Sequence, residues 1–143
     1  MIIKQLSVFV ENRQGRLAEV MDTLSEHSVD ISALSLADTS DYGVLRLIVS
    51  DPEKGREALS ASGVIVKITD MVAAVLEDVP GGAARVVRLL AENGLAIEYM
   101  YAGIGRVNGK ALMVMRVEDI EKTEKLLAEN GLADARPEDV YRI

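Results

Sequence analysis

Leu6-Ser7-Val8-Phe9-Val10-Glu11-Asn12-Arg13-Gln14-Gly15-Arg16-Leu17 holds a change of period within one short stretch. Leu6, Val8 and Val10 alternate with other residues, as in a half-buried strand. Asn12-Arg13-Gln14-Gly15 has the composition of a turn. Beyond it, Leu17, Val20, Met21 and Leu24 fall at i, i+3, i+4 and i+7, the apolar stripe of an amphipathic helix. A strand, a tight loop and a helix are therefore predicted in immediate succession.

The same unit recurs 66 residues later. Leu6, Val8 and Val10 map to Val72, Ala74 and Leu76. Gly15 maps to Gly81, and Leu17, Val20, Met21 and Leu24 map to Ala83, Val86, Val87 and Leu90. Val29 and Ile31 map to Leu95 and Ile97. One offset keeps both the strand period and the helix period; further along it drifts by a residue or two, as a loop insertion would cause.

Working outward, the first helix should end near Ser28, and the second copy has Asn93-Gly94 as a stop. Ile31 to Leu36 reads as a strand, Asp38-Thr39-Ser40-Asp41 as a hairpin turn, and Val44 to Val49 as a third strand. Asp51-Pro52 is a helix start that Gly63 closes, and Val64 to Ile68 is a fourth strand. The second copy predicts strands at Met71–Leu76, Ile97–Tyr101 and Ala111–Val117, and helices from Pro80 to Asn93 and up to Asn130-Gly131. Its last strand, interrupted by Pro137, is placed near Val140. The fold class is α+β: two ferredoxin-like βαββαβ units with antiparallel sheets, residues 1–70 and 71–143. Only Thr69-Asp70 joins the last strand of one to the first of the other.

Apolar residues make up 49% of the 143 and charged residues 27%, which fits a packed core. A net charge of −7 argues against a nucleic-acid partner, which needs a basic face. There is no cysteine, so disulfides, thiolate metal sites and cysteine nucleophiles are excluded. No apolar run has the length of a membrane span, and Met1-Ile2-Ile3-Lys4-Gln5 lacks the regions of a signal peptide. A cytoplasmic protein without a membrane partner is expected.

The stretch from Leu6 to Leu17 resembles the first strand and loop of ACT domains: an apolar strand, Asn or Asp, two residues, Gly, one residue and Leu. Val29-Asp30-Ile31 is similar to the short strand start that follows the helix in that family. Glu77-Asp78-Val79-Pro80-Gly81 and Ala96-Ile97 give a second, weaker copy, so the resemblance spans the whole chain. It implies a regulatory module that binds a free amino acid between paired units. Carried over by position, it implies a site built from Asn12, Gln14, Gly15, Arg16 and Leu17 facing Asp30 and Ile31 of a neighbouring unit. Asp78, Pro80, Gly81, Ala96 and Ile97 are the matching positions of the second copy.

The residue chemistry is compatible with this. Gly15 precedes a helix N-terminus, where N–H groups favour a carboxylate, and its missing Cβ lets a ligand approach the backbone. Asn12 offers a donor and an acceptor, and Asp30 suits an ammonium. Read without the family, Asn12 and Gly15 are more simply an ordinary turn and helix start, since such turns are common. Val10 is apolar where serine-binding members tend to be polar, which favours an apolar ligand. Ala96 lacks the polar group usual before Ile97, so weaker binding is expected in the second unit.

The remaining candidates have plainer readings. His27, the one histidine, falls at a helix end with no metal-spaced partners and reads as a surface residue. Gly103-Ile104-Gly105-Arg106-Val107-Asn108-Gly109 precedes a strand, not the helix that a phosphate loop needs, and reads as a long hairpin turn. Ser7, Ser32 and Ser35 have no histidine to form a triad with. Glu118, Asp119 and Glu121 are ordinary acidic residues of a helix start. Met71, Met100, Met113 and Met115 read as core filler, and Tyr99 and Tyr101 share one face of a strand, where they line either the pocket or the helix-free face.

No catalytic residue, metal or cofactor is expected. The leading reading is a non-enzymatic amino-acid sensor that forms a homodimer and acts on a regulated enzyme. The first copy also resembles the N-terminal part of acetolactate synthase regulatory subunits through Val10-Glu11-Asn12 and Gly15, although the second copy here is a further ACT-like unit. A dimerisation module that has lost its ligand is the structural alternative, and an enzyme on this scaffold would need a convergent acid–base pair that the sequence does not display.

Overall fold

In the computed structural model, which describes residues 1–38 and 41–141, Gly15 and Gly81 both have positive φ, 84° and 88°. Each turns the chain from a strand into a helix, a left-handed position that glycine occupies without strain. Around them the 66-residue offset holds bond for bond. Arg13 N–H donates to the Glu11 carbonyl (2.8 Å), Arg16 N–H to Arg13 (3.1 Å) and Glu19 N–H to Gly15 (3.0 Å). The counterparts are Val79 to Glu77 (3.0 Å), Gly82 to Val79 (3.0 Å) and Arg85 to Gly81 (3.0 Å).

The elements in order are β1 (Ile2–Glu11), α1 (Arg16–Glu26), β2 (Ile31–Asp38), β3 (Tyr42–Val49), α2 (Pro52–Ala61), β4 (Ile65–Leu76), α3 (Gly82–Glu92), β5 (Ile97–Val107), β6 (Lys110–Val117), α4 (Ile120–Glu129) and α5 (Pro137–Tyr141). The chain forms two compact units, residues 4–69, and residues 1–3 with 70–143. In the first, β3 lies between β1 and β2, antiparallel to both; in the second, β6 lies between β4 and β5 in the same way. Val10 pairs with Gly43 in one unit as Leu76 pairs with Ala111 in the other. The α+β, antiparallel character read from the sequence is what the structure has.

Each core lies between the helices and one sheet face. In the first unit, Leu6, Val8 and Val10 of β1 and Leu45, Leu47 and Val49 of β3 meet Val20 and Leu24 of α1 and Leu59 of α2. In the second, Val72, Ala74, Met113, Met115 and Val117 meet Val86 and Leu90 of α3 and Leu127 of α4. Each fully buried Leu or Val contributes about 1.5–3 kcal/mol. Gly55 permits the close seating of α2: a Cβ there would lie 3.0 Å from the Leu6 side chain.

α2 and α4 open on side-chain caps, Asp51 accepting from Lys54 N–H (3.1 Å) and Asp119 from Lys122 N–H (3.0 Å). α1 and α3 have no side-chain cap. At the far end of α1, Ser28 takes a left-handed φ of 55°, the position that Gly94 fills after α3 with a φ of 69°.

Four expectations are corrected. The strand placed near Val140 is the helix α5, which Pro137 starts and Asp139 supports by accepting from the Arg136 backbone N–H (3.0 Å). The edge of β4 that this strand would have joined is met otherwise: Met1 and Ala73 exchange backbone bonds (3.0 and 2.8 Å), and Val75 N–H donates to Leu132 (2.8 Å). Thr69-Asp70 is no linker between strands, because β4 runs unbroken from Ile65 to Leu76 with no Gly or Pro to stop it. Gly103–Gly109 is not a long turn, since β5 continues to Val107 and Asn108-Gly109 alone turn the chain, with φ of 52° and 80°. Positive φ at both residues is the type I′ geometry that Asn-Gly prefers in two-residue hairpins. Finally, Met71, Met113 and Met115 are buried, but Met100 is 46% exposed. The hairpin turn expected at Asp38–Asp41 includes Thr39 and Ser40, which lie outside the described residues.

Candidate ligand site

The loop after the first strand of each unit borders a cleft. In the first unit a cleft of about 230 Å³ is lined by Val10, Glu11, Asn12, Arg13, Leu17, Leu36 and Gly43. In the second, a cleft of about 260 Å³ is lined by Leu76, Glu77, Asp78, Val79, Ala83, Met100, Tyr101, Ala102, Ala111, Leu112 and Met113. These are the same place in the repeat. The 66-residue offset carries Val10, Asn12, Leu17 and Leu36 to Leu76, Asp78, Ala83 and Ala102. The pairing of β1 with β3 and of β4 with β6 makes Gly43 and Ala111 equivalent.

The fold brings together some of the residues singled out in the sequence and separates others. Asn12 and Leu17 line the first cleft, and the Asn12 N–H is fixed by the Asp41 carbonyl (2.9 Å). Gly15 and Gln14 are exposed on the loop beside it. Arg16 is already engaged by the Glu19 carboxylate at 2.7 Å, and this hydrogen bond raises its pKa. Asp78 lines the second cleft, while Pro80 and Gly81 lie on the outer side of the same loop, near Leu132.

Asp30, Ile31, Ala96 and Ile97 lie elsewhere. Asp30 caps its own neighbour, its carboxylate accepting from Ile31 N–H (2.9 Å), and its backbone N–H donates to Ser50 Oγ (3.0 Å). Ile31 and Ile97 pack against the cores, and Ala96 borders a separate open groove at the start of α4. An 11-residue helix, roughly 16 Å long at 1.5 Å per residue, separates Gly15 from Asp30 and Gly81 from Ala96. No single free amino acid spans that within one unit.

Sequence reading missed Leu36, Gly43, Met100, Ala102, Ala111, Leu112 and Met113, while Tyr101, read as facing either the pocket or the helix-free face, lines the second cleft. Carrying Leu36 forward by the repeat offset to Ala102 would have found one of them. The rim of the second cleft is charged. Arg106, at the end of β5, holds Asp78 at 2.6 Å, and Lys110 holds Glu77 at 3.3 Å and Asp134 at 3.9 Å. Tyr99 directs its hydroxyl toward the Met71 sulfur at 3.7 Å. His27 is exposed, its Nδ1 2.8 Å from the Thr23 carbonyl oxygen. Among the described residues, no three His, Asp or Glu gather to hold a metal, and no helix is long and apolar enough to cross a membrane.

Comparison with known proteins places this geometry in context. A family described as "ACT domain pair" matches residues 1–143. Protein BT0572 from Bacteroides thetaiotaomicron has a crystal structure that is 39% identical, with a TM-score of 0.92, covering 100% of this chain and 98% of that one. The ligand-free regulatory subunit of aspartate kinase from Thermus thermophilus is 16% identical, with a TM-score of 0.62, covering 88% of this chain and 90% of that one. The corresponding subunit from Thermus flavus is 17% identical with a TM-score of 0.58, covering 88% and 90%. At such identities the likeness is one of fold. No curated protein matches the chain at a significant level.

Proposed function

This chain belongs to the ACT domain pair family, and from that premise we propose that it binds a free, apolar amino acid and regulates a partner enzyme by doing so. The observation that carries the reading is the duplicated cleft. Both copies place it under the loop that leads into an uncapped helix, and both line it with apolar side chains from the neighbouring strands. A small number of polar groups over an apolar floor is the usual composition of a small-molecule site. The two copies, residues 1–70 and 71–143, each contribute one such place.

The positions that meet ligand are Asn12, Leu17 and the backbone around Gly15 in one copy, and Asp78 with the backbone around Gly81 in the other. Asp30, Ile31, Ala96 and Ile97 take part only where an adjoining unit presents them. The chain acts by binding, not by chemistry of its own. Its fold is shared with two regulatory subunits of aspartate kinase, which makes an enzyme of amino-acid metabolism the natural class of partner. A cytoplasmic two-fold homodimer is the assembly proposed, closed dimers being the commonest oligomers.

A thermal-shift panel of the twenty amino acids tests the reading. A ligand of the native state at a hundred times its Kd stabilises by about 2.7 kcal/mol. A rise in melting temperature for one or a few of leucine, isoleucine, valine, methionine and phenylalanine is the expected result. Folded protein that responds to none of the twenty would end the proposal.

A further inference from the structure

The two clefts are equivalent in position but not in lining, and the difference indicates which one is used and how the ligand lies. We propose that the cleft of the second unit is the amino-acid site, and that Asp78 and Arg106 together recognise the zwitterion. The inference rests on the amino-acid-binding reading above and goes beyond it in naming the cleft, the charged partners and the ligand's direction.

The floor comes first. Where the first unit lines its cleft with Leu17 and Leu36, the second has Ala83 and Ala102. Two isobutyl groups are thereby reduced to methyls at equivalent places. Met100 opens onto the second cleft with 46% of its surface exposed, and its flexible thioether adapts to an apolar side chain. The result is the more apolar of the two clefts, with Leu76, Ala111 and Met113 below.

The rim follows. Asp78 lines the cleft, and the Arg106 guanidinium is bonded to it at 2.6 Å. The two side chains are 54% and 63% exposed, so water screens their attraction and the pair opens at small cost. A carboxylate and a guanidinium side by side match the two charges of an amino acid. The ligand's ammonium donates to Asp78, and its carboxylate accepts the paired N–H groups of Arg106 in the planar geometry that guanidinium favours. The side chain then points down onto Ala83 and Met100. The first cleft has Asn12 where Asp78 stands; Arg13 and Glu11, 3.7 Å apart, line it as well, but there Leu17 and Leu36 take the space that Ala83 and Ala102 leave open in the second. Lys110 is the other cation at the second rim, but Glu77 and Asp134 already share it.

Isothermal calorimetry on the full chain tests this with leucine, leucinamide and 4-methylpentanoate. The variants are R106Q, D78N, A83L and K110Q, each checked for folding by its thermal melt. The expected results are tenfold or weaker leucine binding for R106Q and D78N, and loss of binding for A83L. K110Q should bind like the unmodified chain. Leucinamide, which has no carboxylate, should bind R106Q as it binds the unmodified chain; 4-methylpentanoate, which has no ammonium, should be equally indifferent to D78N. Should A83L fail to fold, the exposed R106Q and D78N carry the test alone. Leucine binding that survives both R106Q and D78N overturns this assignment and leaves amino-acid binding standing. Folded, unmodified chain that binds none of the apolar amino acids overturns both.

Discussion

The carbonyl oxygen of Glu77 occupies the space that a Cβ on Gly82 would need. The loop before α3 is folded back so tightly that only hydrogen fits there, and the clash would be with backbone, which cannot rotate away. G82A should therefore move the Glu77–Val79 segment or destabilise the unit by about 1–3 kcal/mol, the usual cost of overpacking. Urea denaturation of G82A beside a surface control such as A84S measures it. An unchanged midpoint would show that the loop is looser than the structure has it.

Ser28 and Gly94 provide a natural experiment in backbone strain. Both end the first helix of their unit in the left-handed region, but Ser28 bears a Cβ there. S28G should raise stability by roughly 1 kcal/mol and G94A should lower it by a similar amount. Denaturant titration reads both changes, and an S28G midpoint at or below that of the unmodified chain would show that Ser28 is not strained.

Asp51 and Asp119 cap α2 and α4 through the third backbone N–H. Replacing either with alanine should cost about 1 kcal/mol, and replacing either with asparagine much less. The two sites are in different units with no shared partner, so the double variant should lose the sum of the single losses.

The amino group of Met1 donates to the Ala73 carbonyl and is lowered in pKa from its ordinary 8.0, chiefly by burial, with the Glu124 charge opposing. The charged form is thus the one that folding disfavours. Below the folded-state pKa both states hold the proton and the penalty is complete. As pH rises through that value toward 8 the folded state releases its proton first, and this group's effect on stability improves; above 8 it levels off. An NMR titration of the amine should give a midpoint below that of the free peptide Met-Ile-Ile, and a midpoint at or above the peptide's would refute the assignment.

Much of the fold was legible because it is written twice. Leu6, Val8 and Val10 have a period of two and Leu17, Val20, Met21 and Leu24 a period near 3.6, and the copy at Val72 to Leu90 removed the ambiguity of each. Asn108-Gly109 has the composition of a turn, but the glycines at 103 and 105 made that turn read too long. The misreadings share a physical cause. Val140 is one apolar residue after a proline, and no local pattern distinguishes an edge strand from a short helix there. The edge it was meant to cover is met by Met1, 72 residues away, a partnership that no local window contains. The cleft was half legible for the same reason: the loop residues are contiguous, while Met100, Ala102 and Ala111 reach it only through strand pairing.

Residues 1–3 belong to the unit formed by 70–143, although in sequence they begin the other copy. A chain cut between Thr69 and Asp70 would yield one piece carrying a short strand without its partner and another with an unpaired strand edge at Ala73, and each piece would hold what the other is missing. Mixed together, such halves should find one another by strand addition. A gene split at the repeat boundary would thus encode a two-component protein held together by its own first three residues.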